Sequence, residues 1–391
     1  MRSEQQLRTF LKVLEQYPAD RPLSKFLPDF FRKNKQMGSN DRRSASRLLY
    51  NYFRLGKALS DRTPKERLLI AEFLCTGVDN PFLQHFRPDL NAKIELPLSE
   101  KIGYAELHEG FKLEEVFPFI SHLSSEINVT EFLSSFFIQP DLFIRINPQA
   151  LELVLDVFLN SAIEYRRIGE YCIALPNGTN LNSLFTDIDY PVKPFEVQDL
   201  SSQFTLNYFK PKRYEHWWDA CAASGGKSLL LFSEQPDIKL VVSDIRSSVL
   251  DNLDERFIAA GLRTYQKKVV DLTQNPDPEL HHYQFDGIIL DAPCSGSGTW
   301  GRTPEMISQF SEFKIQGFNK LQKTIAGNVI KYLKAGKPLI YITCSVFKEE
   351  NEQVVSYLQQ EYGLQLEASE LIRGWNQKAD TMYVARLIKS E

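Results

Sequence analysis

The sequence contains few of the residues that build disulfide frameworks and metal sites. Its 391 residues include only five cysteines and six histidines. An odd number of cysteines scattered through a long chain is not typical of a secreted, disulfide-stapled domain. Cys75 and Cys172 lie among apolar residues and are expected to be structural. Because the cysteines do not form a disulfide framework, we expect reduced thiols. We also expect no metal centre, because no H-x-x-x-H or C-x-x-C ligand spacing occurs. The histidines are His85, His108, His122, His216, His281 and His282.

Long apolar segments are absent as well. The apolar runs fall far short of the roughly 18 residues that suggest a membrane span. The first residues, Met1 to Leu7, are largely polar and provide no apolar core of a signal peptide. The composition, 43% hydrophobic and 25% charged, is typical of a soluble globular protein. We expect a cytoplasmic protein without a membrane partner, with room for two or three domains.

Several common catalytic motifs are also missing. The G-x-S-x-G elbow of serine hydrolases does not occur. Neither a fixed-period repeat nor a low-complexity tract stands out. The tetrapeptide Gly225-Gly226-Lys227-Ser228 looks like the end of a phosphate-binding P-loop, but the first glycine of that motif would fall on Cys221. These absences argue against a serine hydrolase, a repeat protein and a P-loop nucleotidase.

The net charge of −4 hides an uneven distribution along the chain. Residues 1–60 carry a net charge of +8, residues 61–200 a net charge of −11, and residues 201–391 a net charge of −1. A basic N-terminal segment can be the electrostatic footprint of a polyanionic partner, and it can equally be a solvated helical face. Charge alone leaves both interpretations open.

The spacing of apolar residues divides the chain into three regions. Residues 1–128 are expected to be helical, since prolines separate short amphipathic runs there. Residues 129–200 show a mixed pattern, with a strand at Leu142–Ile146 and a helix at Ala150–Leu159. Residues 201–391 alternate strand-like and helical runs, which predicts βαβ units in a mostly parallel sheet. The expected fold class is therefore α/β at the C-terminus, preceded by a helical domain and a small α+β subdomain.

The third region begins with a strand-like run that leads into a loop of small residues. In Cys221-Ala222-Ala223-Ser224-Gly225-Gly226-Lys227, small side chains let the backbone approach a ligand, and the next helix exposes its first N–H groups. Asp244 ends the second run, where an acidic side chain can accept hydrogen bonds from both ribose hydroxyls. Asp271 ends the third run and could bind an adenine edge, although alone it is better explained as an N-cap or turn residue. Together these residues favour a nucleoside ligand.

Two cysteines directly follow later strand-like runs. Asp291-Ala292-Pro293-Cys294-Ser295-Gly296 follows Phe285–Leu290, and Thr343-Cys344-Ser345 follows Pro338–Ile342. Ligands of open parallel sheets bind outside the carboxyl ends of the strands, so the two thiols could meet in one crevice. A cysteine between Pro and Ser in a Gly-rich turn is not typical of a core cysteine. Residues 348–352 are rich in acidic side chains and predict the first turn of a helix beside Cys344.

These motifs together resemble the Sun (Fmu) family of RNA 5-methylcytosine methyltransferases, the RsmB/NSUN type. Arg145-Ile146-Asn147 is similar to the Arg-Val-Asn of that family's RNA-binding subdomain. Asn40–Arg43, Leu48–Tyr50 and Arg54 are similar to the NusB-like helical domain of its ribosomal-RNA members. The resemblance covers the whole C-terminal half in motif order and spacing: residues 221–227, Asp244, Asp271, residues 291–296 and residues 343–345.

The resemblance implies a Rossmann-like methyltransferase that uses S-adenosylmethionine. It implies that Cys344 adds to carbon 6 of cytosine and that Asp291 hydrogen-bonds or protonates ring N3. Cys294 would act after methyl transfer, helping to remove the carbon 5 proton and release the adduct. Residues 221–227, Asp244, Asp271 and Asp291 would hold S-adenosylmethionine. The implied partner is RNA, with ribosomal RNA as the first candidate, and a monomer is expected.

Some positions depart from the family pattern, and other functions stay open. Ser224 stands where Pro is usual, and the loop Thr299–Glu305 carries Arg302 alone where an Arg-Arg pair is common, which leaves the choice of RNA open. A transfer-RNA methyltransferase is one alternative. A DNA methyltransferase is another, in which Cys294 would attack and Cys344 would be dispensable. The third alternative is an RNA-binding assembly factor with an inactive pocket. Two further departures, Gly336-Lys337 for Gly-Gly and Met382-Tyr383 for Phe-Phe, remove no reactive group.

Overall fold

The computed structural model describes residues 2–186 and 190–390, and it divides into two compact units. The helical unit comprises Met1–Gln139 and Thr299–Glu312, and the sheet unit comprises Pro140–Gly298 and Phe313–Glu391. The division into 1–128, 129–200 and 201–391 stays a prediction, because compactness does not show which segments fold alone. Within the described ranges, no helix has both the length and the apolar character of a membrane span.

Local capping explains where several helices of the helical unit begin. The Thr63 hydroxyl accepts a hydrogen bond from the Glu66 backbone N–H at 3.3 Å, and the Glu66 carboxylate accepts one from the Thr63 N–H at 2.9 Å. This capping box precedes Pro64, whose fixed φ suits the first helical position. The helices of residues 2–139 are α1 (Arg2–Glu15), α2 (Leu23–Lys33), α3 (Ser39–Arg54), α4 (Pro64–Cys75), α5 (Pro81–Phe86), α6 (Pro88–Asn91), α7 (Leu98–Glu109) and α8 (Val129–Ser135), with 3-10 helices at Leu113–Val116 and Ile120–His122.

A buried carboxylate connects the central helices of this unit. Glu72 of α4 is fully buried and accepts hydrogen bonds from the side-chain amides of Asn51 on α3 at 2.7 Å and Asn80 at 2.9 Å. Arg47, also on α3, forms an ion pair with the same carboxylate. A buried charge is tolerated only when it is paired and hydrogen-bonded, so this cluster fixes α3 against α4.

Residues 299–312 belong to the helical unit although they are remote from its helices in sequence. Trp300 is 1% exposed, and its ring centroid lies 5.7 Å from that of Phe117 and 4.9 Å from that of Phe310. Burying a tryptophan among aromatic rings anchors the segment strongly. The loop in which Arg302 replaces an Arg-Arg pair is therefore held by an aromatic core.

The sheet unit contains a small sheet and a large sheet. Its elements are β1 (Leu142–Ile146), α9 (Leu151–Asn160), β2 (Arg166–Arg167), β3 (Cys172–Leu175), α10 (Leu181–Phe185), β4 (Phe195–Val197), α11 (Leu200–Phe204), β5 (His216–Asp219), α12 (Gly226–Glu234), β6 (Lys239–Asp244), α13 (Ser247–Ala259), β7 (Gln266–Val269), α14 (Asp277–Leu280), β8 (Gly287–Asp291), α16 (Phe313–Ile330), β9 (Pro338–Thr343), α17 (Glu352–Tyr362), β10 (Gln365–Ile372) and β11 (Met382–Ile388). Helix α15 (Glu305–Gln309) lies in the segment that belongs to the helical unit.

The small sheet has the strand order β2-β3-β1-β4 and is antiparallel throughout. Helix α9 contributes Val154 and Phe158 to its core, where they pack with Ile144 of β1 and Ile173 of β3. The strand predicted at Leu142–Ile146 is confirmed at the same bounds, and the predicted helix lies one residue further along. The mixed pattern predicted for this stretch is therefore confirmed.

The large sheet has the strand order β10-β11-β9-β8-β5-β6-β7. Strands β5 to β9 pair in parallel, and β11 is antiparallel to both of its neighbours. All six residues of β9 are buried, as expected for a parallel strand covered on both faces. The predicted mostly parallel sheet is confirmed. Strand β10 was not predicted, because its sequence QLEASELI is polar and its first residues are exposed.

The strand order reverses direction between β5 and β8, which creates a topological switch point. Chain connections leave β5 towards β6 on one side, while β8 and β9 lie on the other side. In open α/β sheets a crevice forms at this point, outside the carboxyl ends of the strands. The loop after β5 and the cysteine loops after β8 and β9 are therefore brought to one edge of the sheet.

Candidate active site

A cavity of about 530 Å³ opens at this edge of the sheet unit. Its volume is within the roughly 300–1,000 Å³ that small-molecule and cofactor sites occupy. Seven of the predicted site residues line it, and they come from the ends of five strands, which no single sequence motif could show. These residues are Cys221, Ala223, Asp244, Asp271, Asp291, Cys294 and Cys344.

The two predicted catalytic cysteines meet in this cavity. Their Sγ atoms are 3.2 Å apart, and both thiols are free. The loops approach closely because Gly298 N–H donates to the Cys344 carbonyl at 2.9 Å and the Gly298 carbonyl accepts from Thr381 N–H at 2.9 Å. A Cβ atom at Gly298 would lie 2.1 Å from the Thr381 carbonyl oxygen. Glycine is therefore required here for the cysteine loops to come together.

The protonation state of Cys294 follows from its surroundings. The hydrogen bond with the Cys344 thiol, the burial of the group and the nearby negative charge of Glu350 all raise the pKa of Cys294. The raised pKa keeps Cys294 protonated near neutral pH, so Cys294 can donate its proton towards the Cys344 sulfur. The Sγ–Sγ distance of 3.2 Å allows a hydrogen bond between the two thiols.

A buried polar network lies behind the two thiols. Ser295, Ser297 and Ser345 connect their hydroxyls at 3.0 to 3.2 Å, and the Val346 N–H donates to the Ser297 hydroxyl at 2.9 Å. Glu350 is fully buried among them. Buried polar groups fix a single arrangement when each of them has a partner. The cysteine loops are consequently held in place from behind.

The turn that contains Glu350 differs from the sequence prediction. Residues 348–352 were expected to begin a helix beside Cys344, but α17 begins only at Glu352. The Glu350 N–H donates to the Phe347 carbonyl at 3.0 Å in a turn, and the carboxylate points towards both cysteine loops. The helix prediction was wrong in its start because Glu350 serves the buried network, whereas Glu352 lies in the first turn of α17.

Asp291 is held by a buried lysine. The Lys227 ammonium lies 3.0 Å from the Asp291 carboxylate and 2.8 Å from the Ser202 hydroxyl. The Lys227 side chain is 8% exposed, whereas that of Asp291 is 31% exposed and reaches the cavity. Lys227 was predicted within a cofactor loop. The structure places its charge on Asp291, where it orients that carboxylate.

The loop after β5 forms a frame around the cavity. Gly225 has φ +81° and would clash with Phe257 if it carried a Cβ atom, at 2.3 Å. Ser224 accepts hydrogen bonds from Arg256, and the Gly226 carbonyl accepts one from Gln198. Of the predicted loop residues, Ala222, Ser224, Gly225, Gly226 and Lys227 do not line the cavity. Their contribution to ligand binding stays a prediction, and what the structure shows is the tight turn that they build.

Asp244 at the end of β6 already holds two partners. Its Oδ2 accepts from the Ala223 N–H at 3.1 Å, and its Oδ1 forms an ion pair with Arg246 at 3.1 Å. These hydrogen bonds and the Arg246 charge hold the pKa of Asp244 below its usual value despite partial burial. The Arg246 side chain is 60% exposed, so a ligand hydroxyl can replace it at the carboxylate.

Asp271 sits in a local turn. Its Oδ1 accepts from the N–H and the hydroxyl of Thr273, at 2.9 and 2.7 Å, and these bonds lower the pKa of Asp271. The arrangement is the turn geometry that the sequence alone favoured for this residue. The carboxylate nevertheless lines the cavity, so Asp271 fits both interpretations.

Sequence reasoning missed the apolar part of the cavity wall. Ile245, Leu272, Leu321 and Ile325 line it, and Ile245 is 58% exposed. Ile245 directly follows the strand-ending Asp244, and this position could have predicted a ligand contact, since large apolar side chains at a cavity mouth commonly contact ligands. Leu321 and Ile325 lie on α16, far from any motif, and only the fold brings them there.

Asp219, the last residue of β5, was also missed. It is 1% exposed, and burial raises its pKa to about 7. The Ser228 hydroxyl donates to one carboxylate oxygen at 2.6 Å. Cys221 lies nearby, and the same burial raises the pKa of its thiol. Burial thus disfavours the charged forms of both groups.

The remaining cysteines fit the structural role predicted for them. Burial raises the pKa of Cys75 to about 12 and that of Cys172 to about 11. A buried thiol with a raised pKa is inert as a nucleophile. Across residues 2–186 and 190–390, no group of three or more His, Cys, Asp or Glu side chains is placed to hold a metal ion.

Part of the chain is similar in sequence to known methyltransferases. Residues 206–388 match the family described as 16S rRNA methyltransferase RsmB/F. Ribosomal RNA small subunit methyltransferase B of Shewanella oneidensis is 32% identical over 205 residues, which cover 50% of this chain and 47% of that protein. The protein of the same name from Shigella sonnei is 34% identical over 164 residues, covering 42% and 38%. The matches thus span about half the length of these curated relatives.

Solved structures show the same fold. The crystal structure of PH0851 has a TM-score of 0.71 at 20% identity and covers 94% of this chain and 95% of that chain. The crystal structure of NSun6 from Pyrococcus horikoshii with SFG has a TM-score of 0.56 at 16% identity and covers 67% and 94%. At these identities the likeness concerns the fold, and it supports the α/β Rossmann-like prediction.

Proposed function

We propose that this protein methylates carbon 5 of a cytosine in RNA, with S-adenosylmethionine as methyl donor, since residues 206–388 match the family described as 16S rRNA methyltransferase RsmB/F. The observation that carries the proposal is the pair of free thiols, Cys294 and Cys344, 3.2 Å apart in the cavity. A methyltransferase that acts on a more nucleophilic atom needs no cysteine nucleophile, so the pair favours attack on a cytosine ring.

The cavity suits S-adenosylmethionine, which would supply an electrophilic methyl group. Asp244 would accept hydrogen bonds from the ribose hydroxyls once Arg246 moves aside. Asp271 would meet the adenine edge, and the apolar Ile245 and Leu272 would cover the ring. SFG, an analogue of S-adenosylmethionine, in the similarly folded NSun6 supports this assignment. Residues 221–227 would approach the ligand through the backbone of their tight turn.

Cys344 would act as the nucleophile. Carbon 5 of cytosine is a poor nucleophile, but addition of the Cys344 sulfur to carbon 6 breaks the C5–C6 double bond and makes carbon 5 electron-rich. Asp291, oriented by Lys227, would hydrogen-bond or protonate ring N3 and so stabilise the charge that develops there. The Cys344 thiol and burial raise the pKa of Cys294 and so disfavour its thiolate, which argues against the DNA-type alternative in which Cys294 attacks.

Cys294 would act in the second half of the reaction. After methylation, carbon 5 must lose its proton, and Cys294, once its own proton has passed to solvent, would help to remove it as a thiolate. The electrons of that C–H bond restore the C5–C6 double bond, and the Cys344 sulfur leaves with the electrons of its bond to carbon 6. The product is 5-methylcytosine, and both cysteines are regenerated.

The family description and the relatives' names make ribosomal RNA the first candidate substrate. The target base has to leave its stack to reach Cys344. The NusB-like assignment of the helical unit belongs to this proposal, and exposed basic residues around α2 and α3 would meet phosphates: Lys25, Arg32, Lys33, Lys35 and Arg43. A cytoplasmic location and a monomeric state are expected for such an enzyme.

One part of the predicted RNA-binding surface has a different local role. Arg145 of β1 is half-buried, and desolvation lowers its pKa, while its Nε donates to Gln198 at 3.0 Å. The Asn147 side chain accepts from the Gln149 N–H at 3.2 Å and caps a short 3-10 helix. Both side chains therefore have partners within the protein. We expect other, exposed residues of this subdomain to contact RNA.

The proposal is tested by incubating the protein with labelled S-adenosylmethionine and with separated ribosomal and transfer RNA from cells that lack it. We expect labelled 5-methylcytosine in ribosomal RNA, identified by nucleoside mass spectrometry. Label in transfer RNA alone would assign the other substrate. Binding of S-adenosylmethionine without label in any RNA would refute the enzymatic function and favour an assembly factor.

A further inference from the structure

The polar network behind the thiols depends on one carboxylate that the proposed chemistry does not use. Glu350 is fully buried, and burial raises its pKa. Its carboxylate nevertheless accepts several hydrogen bonds, each of which favours the charged form. Placing a carboxyl group in such a position costs more than packing an apolar side chain there. We therefore expect a function of the Glu350 carboxylate that an apolar side chain could not provide.

The two oxygens of Glu350 serve the two cysteine loops separately. Oε2 accepts from the Ser295 backbone N–H at 2.8 Å, and Ser295 directly follows Cys294. Oε1 accepts from the Ser345 hydroxyl at 2.9 Å, and Ser345 directly follows Cys344. One carboxylate thus bridges the residues that follow the two thiols, across loops that are about 50 residues apart in sequence.

A third donor fixes the carboxylate in the fold. The Gln322 amide on α16 donates to Glu350 Oε2 at 3.0 Å and to the Pro293 carbonyl at 3.0 Å. The Tyr341 hydroxyl donates to the Glu350 carbonyl at 2.7 Å. Glu350 is consequently surrounded by donors, and only an acceptor with two oxygens satisfies both loops. A glutamine at this position would turn an NH₂ group towards one of these donors.

We propose that Glu350 is a positioning residue that sets the distance and orientation of Cys294 relative to Cys344. Its role in catalysis rests on the proposed function, whereas its role in thiol geometry does not. In its ionised form, Glu350 also raises the pKa of Cys294. The carboxylate therefore acts on the reacting thiols mainly through the two loops, and its ionised form adds an effect through charge.

The test compares Glu350→Gln with Asp286→Asn, a matched control in the same unit. Asp286 precedes β8 at the opposite edge of the sheet and also accepts from a backbone N–H, that of His216 at 3.0 Å. Each variant is alkylated with iodoacetamide across a pH series without RNA or cofactor, and each cysteine is quantified by peptide mass spectrometry. Turnover is measured on the RNA that the wild type methylates.

We expect Glu350→Gln to move the alkylation profile of Cys294 to lower pH and to reduce kcat about ten- to hundred-fold, with the KM for S-adenosylmethionine unchanged. Asp286→Asn should leave the profile of Cys294 in place. An unchanged Cys294 profile in Glu350→Gln, or an equal shift in Asp286→Asn, would overturn the proposal. An inactive wild type would refute the proposed function while the alkylation result still decides the role of Glu350.

Glu350→Asp keeps the inference testable if the glutamine variant does not fold. Aspartate retains the charge but is one methylene shorter, so it cannot reach both Ser295 and Ser345. We expect the Cys294 profile to stay near that of the wild type while kcat falls about ten-fold. Wild-type turnover in Glu350→Asp would show that the bridge between the loops is dispensable and would overturn the proposal.

Discussion

The cavity has two sides, and they are built in different ways. On the side proposed to bind the cofactor, called the nucleoside side and formed by Asp244, Ile245 and Asp271, the acidic groups hold exposed or local partners such as Arg246 and Thr273. On the thiol side, formed by Cys294 and Cys344, a buried network behind the loops fixes the groups. The first side can exchange its partners for a ligand, whereas the second is held by buried hydrogen bonds within the protein.

This difference has a physical reason. Binding of a cofactor only requires that a ligand's hydrogen bonds replace those of the protein, and a 60% exposed arginine is displaced at little cost. Covalent chemistry requires two sulfurs at defined positions, since small displacements of reacting groups reduce rates strongly. Substitutions on the thiol side should therefore affect turnover, and substitutions on the nucleoside side should affect affinity.

The largest effect is expected from Cys344→Ala. Removal of the proposed nucleophile should lower turnover by about 10⁴-fold or more, because the proposed activation of carbon 5 depends on addition of its sulfur. Binding of S-adenosylmethionine, measured by calorimetry, should stay within about two-fold of the wild type. A Cys344→Ala protein with near-normal turnover would assign the attack to Cys294.

Gly298→Ala should have the next largest effect. The added Cβ would meet the Thr381 carbonyl at 2.1 Å, and the loops after β8 and β9 would separate. We expect a loss of about 1–3 kcal/mol in the free energy of unfolding and a clear decrease in kcat. Gly317→Ala is the control, because a Cβ there has no atom within 4 Å. Equal turnover of the two variants would contradict the account.

Asp244→Asn should affect the other side of the cavity. We expect S-adenosylmethionine affinity to fall about ten- to hundred-fold, the usual cost of losing charge-assisted hydrogen bonds. Arg246→Ala, in contrast, removes a partner that the ligand has to displace, so the Kd should change about two-fold or less. A larger loss in Arg246→Ala than in Asp244→Asn would show that Arg246 itself holds the ligand.

The smallest effect concerns Asp219 and pH. A carboxyl group with a pKa raised to about 7 binds its proton more tightly when folded than when unfolded. The free energy of unfolding therefore falls as pH rises from about 4 to about 7. Asp219→Asn mimics the protonated form, so its Tm relative to the wild type should increase by about 2–4 °C between pH 5 and pH 8. A constant Tm difference would contradict the raised pKa.

The two sides also differ in how far the sequence could predict them. Acidic residues and small residues at strand ends identified Asp244, Asp291 and the two cysteines, because their positions follow from local strand patterns. The hydrogen-bond and ion-pair partners of these residues could not be predicted from the strand patterns. Lys227 was assigned to the cofactor loop, although in the fold its charge reaches Asp291. A strand pattern predicts which residue lies at the end of a strand. It does not predict which group from a distant segment the side chain of that residue contacts.

The buried hydrogen-bond network behind the thiols was even harder to predict from the sequence. Glu350 belongs to an acidic run whose composition favours a helix terminus, and nothing local distinguishes it from Glu349. Its role depends on Ser295 and Gln322, which come from a different loop and a different helix. Residues 299–312 were likewise unpredictable as part of the helical unit, since their place depends on how Trp300 packs.

The most direct test of the two thiol roles is covalent trapping with Cys294→Ala. The variant is incubated with S-adenosylmethionine and the substrate RNA, and the protein is analysed on a denaturing gel. We predict a protein–RNA adduct that persists, because Cys344 adds to carbon 6 and release is impaired, and we predict no adduct in the Cys294→Ala/Cys344→Ala double variant. An adduct in the double variant, or in Cys344→Ala alone, would contradict the assignment of Cys344 as the nucleophile.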